Sequence, residues 1–412
     1  MKIEILNTGT ELLLGNTLNT HGSWFGRQLF AMGLRVARQV TVPDGEAIRE
    51  AFSEIVVRAD ILLITGGLGP TSDDLTREIV AETFGLELHQ DEQALRILES
   101  FFALRGKPMA PANLRQAMVP TGAEVMLNPN GTAPGLYLPP RINGHSKCAV
   151  FLLPGPPREL YPMFQNEVVP RLRALAGVSE IAAVSELKFT GIGESDFHHG
   201  IDAELANVPG LEYGYCARIG EVDLRLIGSP EALAAGRNLA LTSFGRHLIS
   251  DDGSSLEATV VRLLREKSLT FATAESCTGG LIASRLTNVP GASDVFSHGW
   301  VTYANEAKAS ELSVPMEMIE THGAVSEEVA IAMAEGALQA SGADFAVSVT
   351  GIAGPTGGTE HKPVGTAWLA LAEKSGSTLT EKVFHPRSRK DFKQAVSQSA
   401  LDILRRRLVL AS

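Results

Sequence analysis

Along the amino-terminal part of the chain, short apolar runs alternate with amphipathic stretches. The runs Ile3–Leu6, Ile61–Thr65 and Val150–Leu153 predict buried strands, because each is short and is followed by glycine or proline. Glu46–Arg58 and Glu92–Arg105 lie between them and have the spacing of amphipathic helices. This alternation predicts a largely parallel sheet covered by helices, with ligand sites at the carboxyl ends of its strands.

The pattern changes over residues 171–250. Glu221–Leu226 alternates strictly between polar and apolar residues, which predicts a half-buried strand in a small α+β unit. A further change follows at the polar segment Asp251–Ser255, after which Leu256–Glu266 reads as a helix. Strands are then predicted at three apolar runs with helices between them, so this last segment is a second α/β unit. These runs are Leu269–Ala274, Phe345–Thr350 and Gly365–Leu371.

The fold class predicted is therefore α/β, with two α/β domains of largely parallel sheets joined by a small α+β domain. The predicted domains span residues 1–170, 171–250 and 253–412. The formal charge of -11 argues against a general nucleic-acid or anionic-membrane binder. No apolar run approaches the roughly 20 residues that span a bilayer. The cysteines Cys148, Cys216 and Cys277 lack zinc-type spacing, and together these features predict a cytoplasmic, reduced protein.

The segment Ala274–Gly280 carries the chemistry that stands out in the last domain. It places the hydroxyls of Ser276 and Thr278 and the thiol of Cys277 between a predicted strand and the helix Leu281–Leu286. Backbone N–H groups and the helix dipole at such a turn favour a phosphate or an oxyanion. The alternative is that Ser276 or Thr278 only caps the helix, with the two glycines serving tight packing.

Two nucleophiles compete in this segment. Ser276 needs a base, whereas a thiolate of Cys277 at a helix start would have a lowered pKa. No histidine neighbours Cys277 in sequence, although His298 or His322 can reach it in three dimensions. Histidines outside a metal motif are more often structural.

Two further loops can cooperate with Ser276. In Val301–Lys308 a strand ends and a helix begins, so Tyr303 and Lys308 can both lie near the helix start. Lys308 can then lower the proton affinity of a nearby hydroxyl, or it can be a solvated surface residue. Val349–Thr359 follows an apolar strand and can wrap a phosphate or ribose through its amides, or it can be a flexible loop.

In the first domain, Thr65–Asp74 leaves a strand and enters a helix that begins near Leu75. Its three glycines let a phosphate or a pterin approach the backbone, and Asp73 and Asp74 can hold a divalent cation. Both aspartates can instead cap the helix. The glycines are Gly66, Gly67 and Gly69. The turns Asn128–Gly135 and Leu153–Glu159 either face the same cleft or are ordinary tight turns.

Taken together, these motifs closely resemble the CinA (competence/damage-inducible) family over nearly the whole chain. The matches in the last domain are Ala274–Gly280, Val301–Lys308, Gly323–Glu328, Thr350–Gly358 and Lys362–Thr366. The matches in the first domain, which looks like a molybdopterin-binding-like domain, are Gly9–Leu13, Gly66–Asp74, Gly131–Gly135 and Leu153–Glu159. The middle domain matches through Thr190–Ser195 and is similar to a KH-type fold, without the basic charge of an RNA binder.

The resemblance implies a nicotinamide-nucleotide amidohydrolase of pyridine nucleotide recycling, which converts nicotinamide mononucleotide and water to nicotinic acid mononucleotide and ammonia. It implies catalysis by Ser276, Tyr303 and Lys308 without a cofactor, and a homodimer. Ser276 either attacks the carboxamide carbon or only orients the amide for water. An arginine is expected to hold the substrate phosphate, and Arg389, with Lys393, aligns better than the alternative Arg387. The implied substrate-binding residues are Cys277, Thr278, Gly279, Thr350, Gly351, Gly354 and Arg389.

For the first domain, the resemblance implies metal-dependent ADP-ribose pyrophosphatase activity. The implied ligand contacts are Gly66, Gly67 and Gly69, and the implied metal ligands are Asp73 and Asp74. The rival hypotheses are a non-catalytic pterin- or nucleotide-binding module and an accessory protein of DNA uptake or repair. The acidic balance of the chain speaks against direct DNA binding.

Overall fold

The chain divides into two units, residues 1–181 and residues 182–412. The computed structural model describes residues 1–144, 146–176, 183–374, 376 and 378–410. The three-domain division, with boundaries near residues 171 and 253, stays a prediction.

The first unit contains eight strands and seven α-helices among its described residues. The strands are β1 (Ile3–Thr8), β2 (Val36–Val42), β3 (Ile61–Thr65), β4 (Leu88–Gln90), β5 (Met118–Pro120), β6 (Glu124–Met126), β7 (Gly135–Leu138) and β8 (Ala149–Leu153). The helices are α1 (Thr10–Leu13), α2 (His21–Phe30), α3 (Glu46–Val56), α4 (Thr76–Phe84), α5 (Glu92–Leu104), α6 (Pro157–Met163) and α7 (Val169–Ala176).

Six of these strands form one sheet in the order β2-β1-β3-β8-β7-β6. The pairings from β2 to β8 are parallel, and β7 and β6 extend the sheet antiparallel at one edge. Strands β1, β3 and β8 are buried along their whole length, since apolar clusters pack on both faces of the sheet. The predicted parallel sheet is confirmed, and β3 has the predicted bounds.

The second unit has nine strands and nine α-helices among its described residues. The strands are β9 (Ala183–Thr190), β10 (Glu212–Arg218), β11 (Glu221–Gly228), β12 (Leu248–Ser250), β13 (Phe271–Glu275), β14 (Phe296–Val301), β15 (Phe345–Gly351), β16 (Thr366–Glu373) and β17 (Leu379–Phe384). The helices are α8 (Glu194–His199), α9 (Asp202–Ala206), α10 (Pro230–Phe244), α11 (Leu256–Glu266), α12 (Leu281–Thr287), α13 (Asn305–Leu312), α14 (Met316–His322), α15 (Glu327–Ser341) and α16 (Arg389–Leu410).

Strands β9 to β12 form an antiparallel sheet in the order β10-β11-β9-β12. Strand β11 confirms the predicted strand at residues 221–226, but its burial does not follow the expected alternation. Asp223 is buried between Val222 and Leu224, because its carboxylate accepts a hydrogen bond of 3.1 Å from Lys188. A buried ion pair therefore interrupts the polar face that the sequence pattern predicted, while Arg225 on that face is exposed.

The other sheet of this unit has the order β14-β13-β15-β16-β17. Strands β14, β13 and β15 are parallel, whereas β16 and β17 are antiparallel to their neighbours. The expectation of a largely parallel sheet therefore holds for three of the five strands. The segment from β15 to β16 contains no helix among its described residues, and strands joined without a crossover pair antiparallel.

Helices cover both faces of this sheet. Apolar residues of α11, α12 and α16 pack in one cluster, and residues of α13, α14 and α15 pack in another. Among the helices in the described part of the chain, none has both the length and the apolar composition that crossing a membrane requires.

A buried ion pair holds β1, the strand that ends just before Gly9 of the cavity in the first unit. The Arg58 guanidinium donates two hydrogen bonds of 2.7 and 2.8 Å to the fully buried Glu4 carboxylate. These bonds hold the pKa of Glu4 below its ordinary value of 4.5. The pair therefore stabilises the fold above that value, and its contribution is lost as the pH falls through the lower folded-state pKa.

We expect Arg58→Met to lower the free energy of unfolding at neutral pH, because the buried Glu4 carboxylate then keeps only the more distant ion pair with Lys2, at 4.0 Å. The difference in free energy of unfolding between the wild type and Arg58→Met should become smaller in acid, where Glu4 takes up a proton in both proteins. Hydrogen exchange of the β1 amides in increasing urea measures the free energy of unfolding of each protein at neutral and at acid pH. Arg38→Met is the matched control, since Arg38 bonds the exposed Glu54 at 3.0 Å and should cost below about 1 kcal/mol. A difference that does not change with pH would contradict this account.

Candidate functional site

The predicted turn after β13 is a five-residue loop, 276–280, between that strand and α12. The Ser276 amide donates to the Val349 carbonyl of β15 at 3.0 Å, and the Gly279 amide donates to the Ser276 carbonyl at 3.1 Å. Gly279 and Gly280 have φ angles of 60° and 86°, in the left-handed region that favours glycine. The two glycines are therefore required by the turn, and they leave the Ser276 side chain 8% exposed at the end of the sheet.

The start of α12 is capped by a residue that sequence reasoning did not consider. Glu275 accepts hydrogen bonds from the amides of Ile282 and Ala283, at 3.1 and 2.8 Å. The capping role suggested for Ser276 or Thr278 is wrong, because no side chain of the N-cap or its loop bonds there. The Glu275 carboxylate occupies this helix end, so a phosphate or an oxyanion at the turn would meet the amides of the preceding loop.

Lys308 lies against the Ser276 hydroxyl. Its side chain is 1% exposed, so the alternative of a solvated surface lysine is wrong. Its Nζ stands 3.3 Å from Ser276 Oγ, 3.0 Å from the Thr302 carbonyl and 3.4 Å from the Tyr303 carbonyl. Burial disfavours the charged form and lowers the pKa of Lys308 below its ordinary value of 10.5. Glu306 opposes this effect through its negative charge, but among the described residues no carboxylate forms a salt bridge with Lys308.

Tyr303 approaches the site differently from the prediction. Its backbone carbonyl meets Lys308, but its side chain is 58% exposed and its hydroxyl accepts a hydrogen bond of 2.5 Å from Arg389. Arg389 also donates to the Gly354 carbonyl at 2.9 Å. The structure therefore brings Tyr303, Arg389 and Gly354 together, and no described contact joins the Tyr303 hydroxyl to Ser276.

The first two turns of α16 supply positive charge beside this group. A Cβ atom built on Gly279 would stand 3.5 Å from Lys393 Nζ, so Lys393 lies next to the Ser276 loop. Arg389 is one turn earlier on the same helix. Arg389 is bonded to the Tyr303 hydroxyl and the Gly354 carbonyl of the site, whereas the Arg387 guanidinium makes no hydrogen bond or ion pair with the described residues. The choice of Arg389 over Arg387 as the anion contact stays a prediction.

Thr350 has a supporting part in the glycine loop. It is buried, and its hydroxyl donates to the Ala324 carbonyl at 2.7 Å. That bond ties the predicted motif Gly323–Glu328 to the end of β15. Gly351 closes the strand, and the following loop contacts Arg389 through the Gly354 carbonyl. The wrapping of a phosphate or ribose by the amides of this loop stays a prediction.

Cys277 is a poor nucleophile in this setting. Its thiol is buried, and burial raises its pKa to about 12. His298 stacks on Trp300 with the ring centroids 5.4 Å apart, and His322 lies 3.3 Å from Glu328. Neither histidine contacts Cys277 among the contacts of the described residues, so the thiol has no base.

In the first unit, the predicted glycine loop lines a cavity of about 350 Å³. The turns at 128–135 and 153–159 contribute to the same cavity, which supports the alternative that they face one cleft. The lining residues are Thr8, Gly9, Glu11, Asp44, Gly66, Gly67, Leu68, Gly69, Pro70, Asp73, Asp74, Gln116, Thr132, Ala133, Pro154, Gly155, Pro156 and Glu159.

Asp73 and Asp74 do not cap α4. The N-cap residue is Leu75, without a side-chain hydrogen bond to the helix, so the capping alternative is wrong. Asp74 instead accepts from the Thr71 amide at 3.0 Å and from its hydroxyl, and Arg115 donates to the Thr71 carbonyl at 2.7 Å. These bonds fix the loop from within.

The side chains that line the cavity decide whether it could bind the predicted divalent cation. No cluster of three or more histidine, cysteine or acidic residues suited to a metal occurs among the described residues. The two aspartates line the cavity without such a cluster. They fit an ion of the magnesium kind, which takes one or two carboxylates and completes its shell with water and substrate phosphates.

Comparison with known proteins gives matches over both ends of the chain. Residues 253–408 match the family model described as CinA C-terminal domain, and residues 4–174 match the one described as a probable molybdopterin binding domain. A CinA-like protein of Akkermansia muciniphila is 52% identical over 401 residues, which are 97% of this chain and 96% of that protein. A CinA-like protein of Geobacter metallireducens is 42% identical over 422 residues, which are 99% of this chain and 100% of that protein.

A solved structure also matches the chain. The crystal structure of the competence/damage inducible protein CihA from Agrobacterium tumefaciens is 42% identical, covers 37% of this chain and 94% of its own, and has a TM-score of 0.35.

The cysteine environments predict selective alkylation of the native protein. Cys216 is exposed, whereas burial raises the pKa of both Cys148 and Cys277 to about 12. We expect iodoacetamide at mildly alkaline pH to modify Cys216 alone, and to modify all three cysteines after denaturation. Intact-mass spectrometry counts the adducts, and a Cys216→Ser variant should take none in its native state. Labelling of Cys277 at a rate similar to that of Cys216 would contradict the geometry.

Proposed function

The chain belongs to the CinA family, and we propose that its carboxyl-terminal part is the nicotinamide-nucleotide amidohydrolase that the sequence motifs imply. It hydrolyses the carboxamide of nicotinamide mononucleotide to nicotinic acid mononucleotide and ammonia. The observation that carries this proposal is the distance of 3.3 Å between Lys308 Nζ and Ser276 Oγ. A hydroxyl beside a buried amine is an arrangement for activating a nucleophile.

The surroundings of Lys308 favour the neutral amine. A neutral amine has two N–H donors and one lone pair, and the two nearby carbonyls of Thr302 and Tyr303 can accept the two N–H groups. The lone pair is then left for the Ser276 hydroxyl. A charged Lys308 would have a third N–H in that place and could not accept a proton.

Ser276 Oγ attacks the carboxamide carbon while its proton passes to Lys308 Nζ. No backbone carbonyl accepts a hydrogen bond from the Cys277 or Thr278 amide in the described structure, and we assign these two amides to the oxyanion. The proton on Lys308 then leaves with the nitrogen as ammonia, and water hydrolyses the ester on Ser276 to free the acid. Direct attack by water, with Ser276 only orienting the amide, is the other route.

Positive charge on α16 supports a mononucleotide as the substrate. Arg389 and Lys393 stand at the first two turns of the helix, beside the Tyr303 hydroxyl and the Ser276 loop. A guanidinium and an ammonium group together suit a phosphate dianion. The amide end of the substrate then lies at Ser276 and its phosphate at the start of α16.

We expect Ser276→Ala to lower kcat for ammonia release at least about a thousandfold. Lys308→Met removes the base and should cost about 100- to 10,000-fold. Ser284→Ala makes the same substitution at an exposed position of α12 and should change kcat less than about twofold. Mass spectrometry of protein quenched during turnover distinguishes the two routes, because only covalent catalysis adds a nicotinoyl group to Ser276. Full activity of Ser276→Ala would exclude both.

The pH dependence follows from the pKa of Lys308. Burial lowers that pKa, and only the neutral amine accepts a proton. We therefore expect kcat/KM to rise with pH and to level off at a pH below the ordinary lysine value of 10.5. The measurement is ammonia release across a pH series in which circular dichroism shows the fold to be intact. A rate that falls over the same range would contradict a lysine base.

For the first unit we propose metal-dependent hydrolysis of ADP-ribose, in which water attacks the diphosphate and gives AMP and ribose 5-phosphate. The observation that favours it is the glycine-lined cavity with Asp73 and Asp74. A bound divalent cation would neutralise the diphosphate and polarise the bond that is broken. The glycine loop of this chain receives the phosphates, because it lines the cavity and precedes the start of α4.

We expect AMP to form from ADP-ribose with magnesium or manganese and to stop with EDTA. Asp73→Asn should lower the rate at least about tenfold, because the loop then loses a carboxylate that faces the cavity. Glu99→Gln, at an exposed position of α5, is the matched control. Product analysis by chromatography gives the result. Binding of ADP-ribose without cleavage under any metal condition would favour the non-catalytic nucleotide-binding module instead.

A further inference from the structure

Glu275, the last residue of β13, is fully buried and joins three parts of the carboxyl-terminal site. Its backbone carbonyl accepts a hydrogen bond of 2.9 Å from the Thr302 amide, and the Thr302 carbonyl in turn meets Lys308. Its carboxylate accepts one hydrogen bond on each oxygen, from the amides of Ile282 and Ala283. Glu275 thus belongs to the strand that precedes Ser276, and it contacts both the segment that bonds Lys308 and the helix that follows the loop.

Both oxygens of the Glu275 carboxylate accept hydrogen bonds from backbone amides. The carboxylate forms no ion pair with any of the described residues, and its two acceptors are matched to two amides that no other side chain caps. The N-cap residue, Gly280, has no side chain that could do so. The loop 276–280 is therefore held at its start by the bond from Ser276 to Val349 and at its end by Glu275.

We infer that Glu275 is a positioning residue of the amidohydrolase reaction, an inference that rests on the proposed function. By closing the loop it keeps Ser276 Oγ near Lys308 Nζ and keeps the amides of Cys277 and Thr278 beside the reacting carbonyl. It touches neither the substrate nor the reacting atoms. A misplacement of about 1 Å in such a site can cost about a hundredfold in rate.

The chemistry of the contact explains why a carboxylate is needed. Two amide donors require two acceptor oxygens, which a carboxylate supplies. In Glu275→Gln one oxygen becomes an NH₂ group that faces an amide N–H, so one of the two bonds is lost. In Glu275→Ala both bonds are lost. Arg389 and Lys393 lie on α16, and Glu275 makes no hydrogen bond with either of them in the described structure.

The experiment compares Glu275→Gln and Glu275→Ala with Ser255→Ala in the full chain. Ser255 is the matched control, because its hydroxyl caps α11 by accepting from the Ala258 amide at 3.3 Å. We expect kcat for nicotinamide mononucleotide to fall at least about tenfold in the Gln variant and about a hundredfold in the Ala variant. The KM should change less than about threefold, because the phosphate contacts are kept. Ser255→Ala should lower Tm and leave kcat unchanged.

A second readout is independent of turnover. Hydrogen exchange over residues 276–283 should be faster in both Glu275 variants and unchanged in Ser255→Ala. Unchanged exchange and kcat in Glu275→Gln would overturn the inference, as would an equal loss of kcat in Ser255→Ala. If a Glu275 variant does not fold, Glu275→Asp keeps the charge with a shorter reach and should show the same direction of change. A wild-type protein without ammonia release would contradict the proposed function, while the exchange data would still decide whether Glu275 holds the loop.

Discussion

A buried lysine amine without a carboxylate partner in the described chain is the constraint on which the carboxyl-terminal site depends. A buried ammonium group is costly unless it is paired, so burial moves Lys308 toward its neutral form. Lys308 Nζ is within hydrogen-bonding distance of two backbone carbonyls and of the Ser276 hydroxyl. The same burial that destabilises the charged form lowers the pKa of Lys308, and this favours the neutral amine that a base requires.

Each unit has a glycine-rich loop at the end of a strand, and different contacts hold the two loops in place. In the first unit, Asp74 bonds within its own loop and Arg115 clamps the loop from outside. In the second unit, the loop at Ser276 contributes no side-chain clamp, and Glu275 holds it from the preceding strand. The first loop lines the cavity of its unit, whereas the second places the Ser276 hydroxyl beside Lys308. A homodimer and a cytoplasmic location stay predictions.

Local signals explain how much of the structure the sequence could predict. Helix α11 has the predicted bounds, since Ser255 caps an amphipathic stretch, and β3 matches because its apolar run ends in glycines. The contact of Glu275 with α12 was missed, because it spans seven and eight residues across a loop. The hydrogen bond from Arg389 to Tyr303 joins residues 86 positions apart, so sequence spacing could not assign it. The burial of Lys308 likewise depends on tertiary packing.

The most direct test of the account is a measurement of the charge state of Lys308 itself. Selective ¹³C labelling of the lysine ε-carbons allows an NMR titration, and Lys308→Arg assigns the signal. The account predicts that the Lys308 signal titrates below the ordinary lysine pKa of 10.5. A Lys308 signal that titrates at or above that value would mean a charged amine beside Ser276, and would contradict its role as the base.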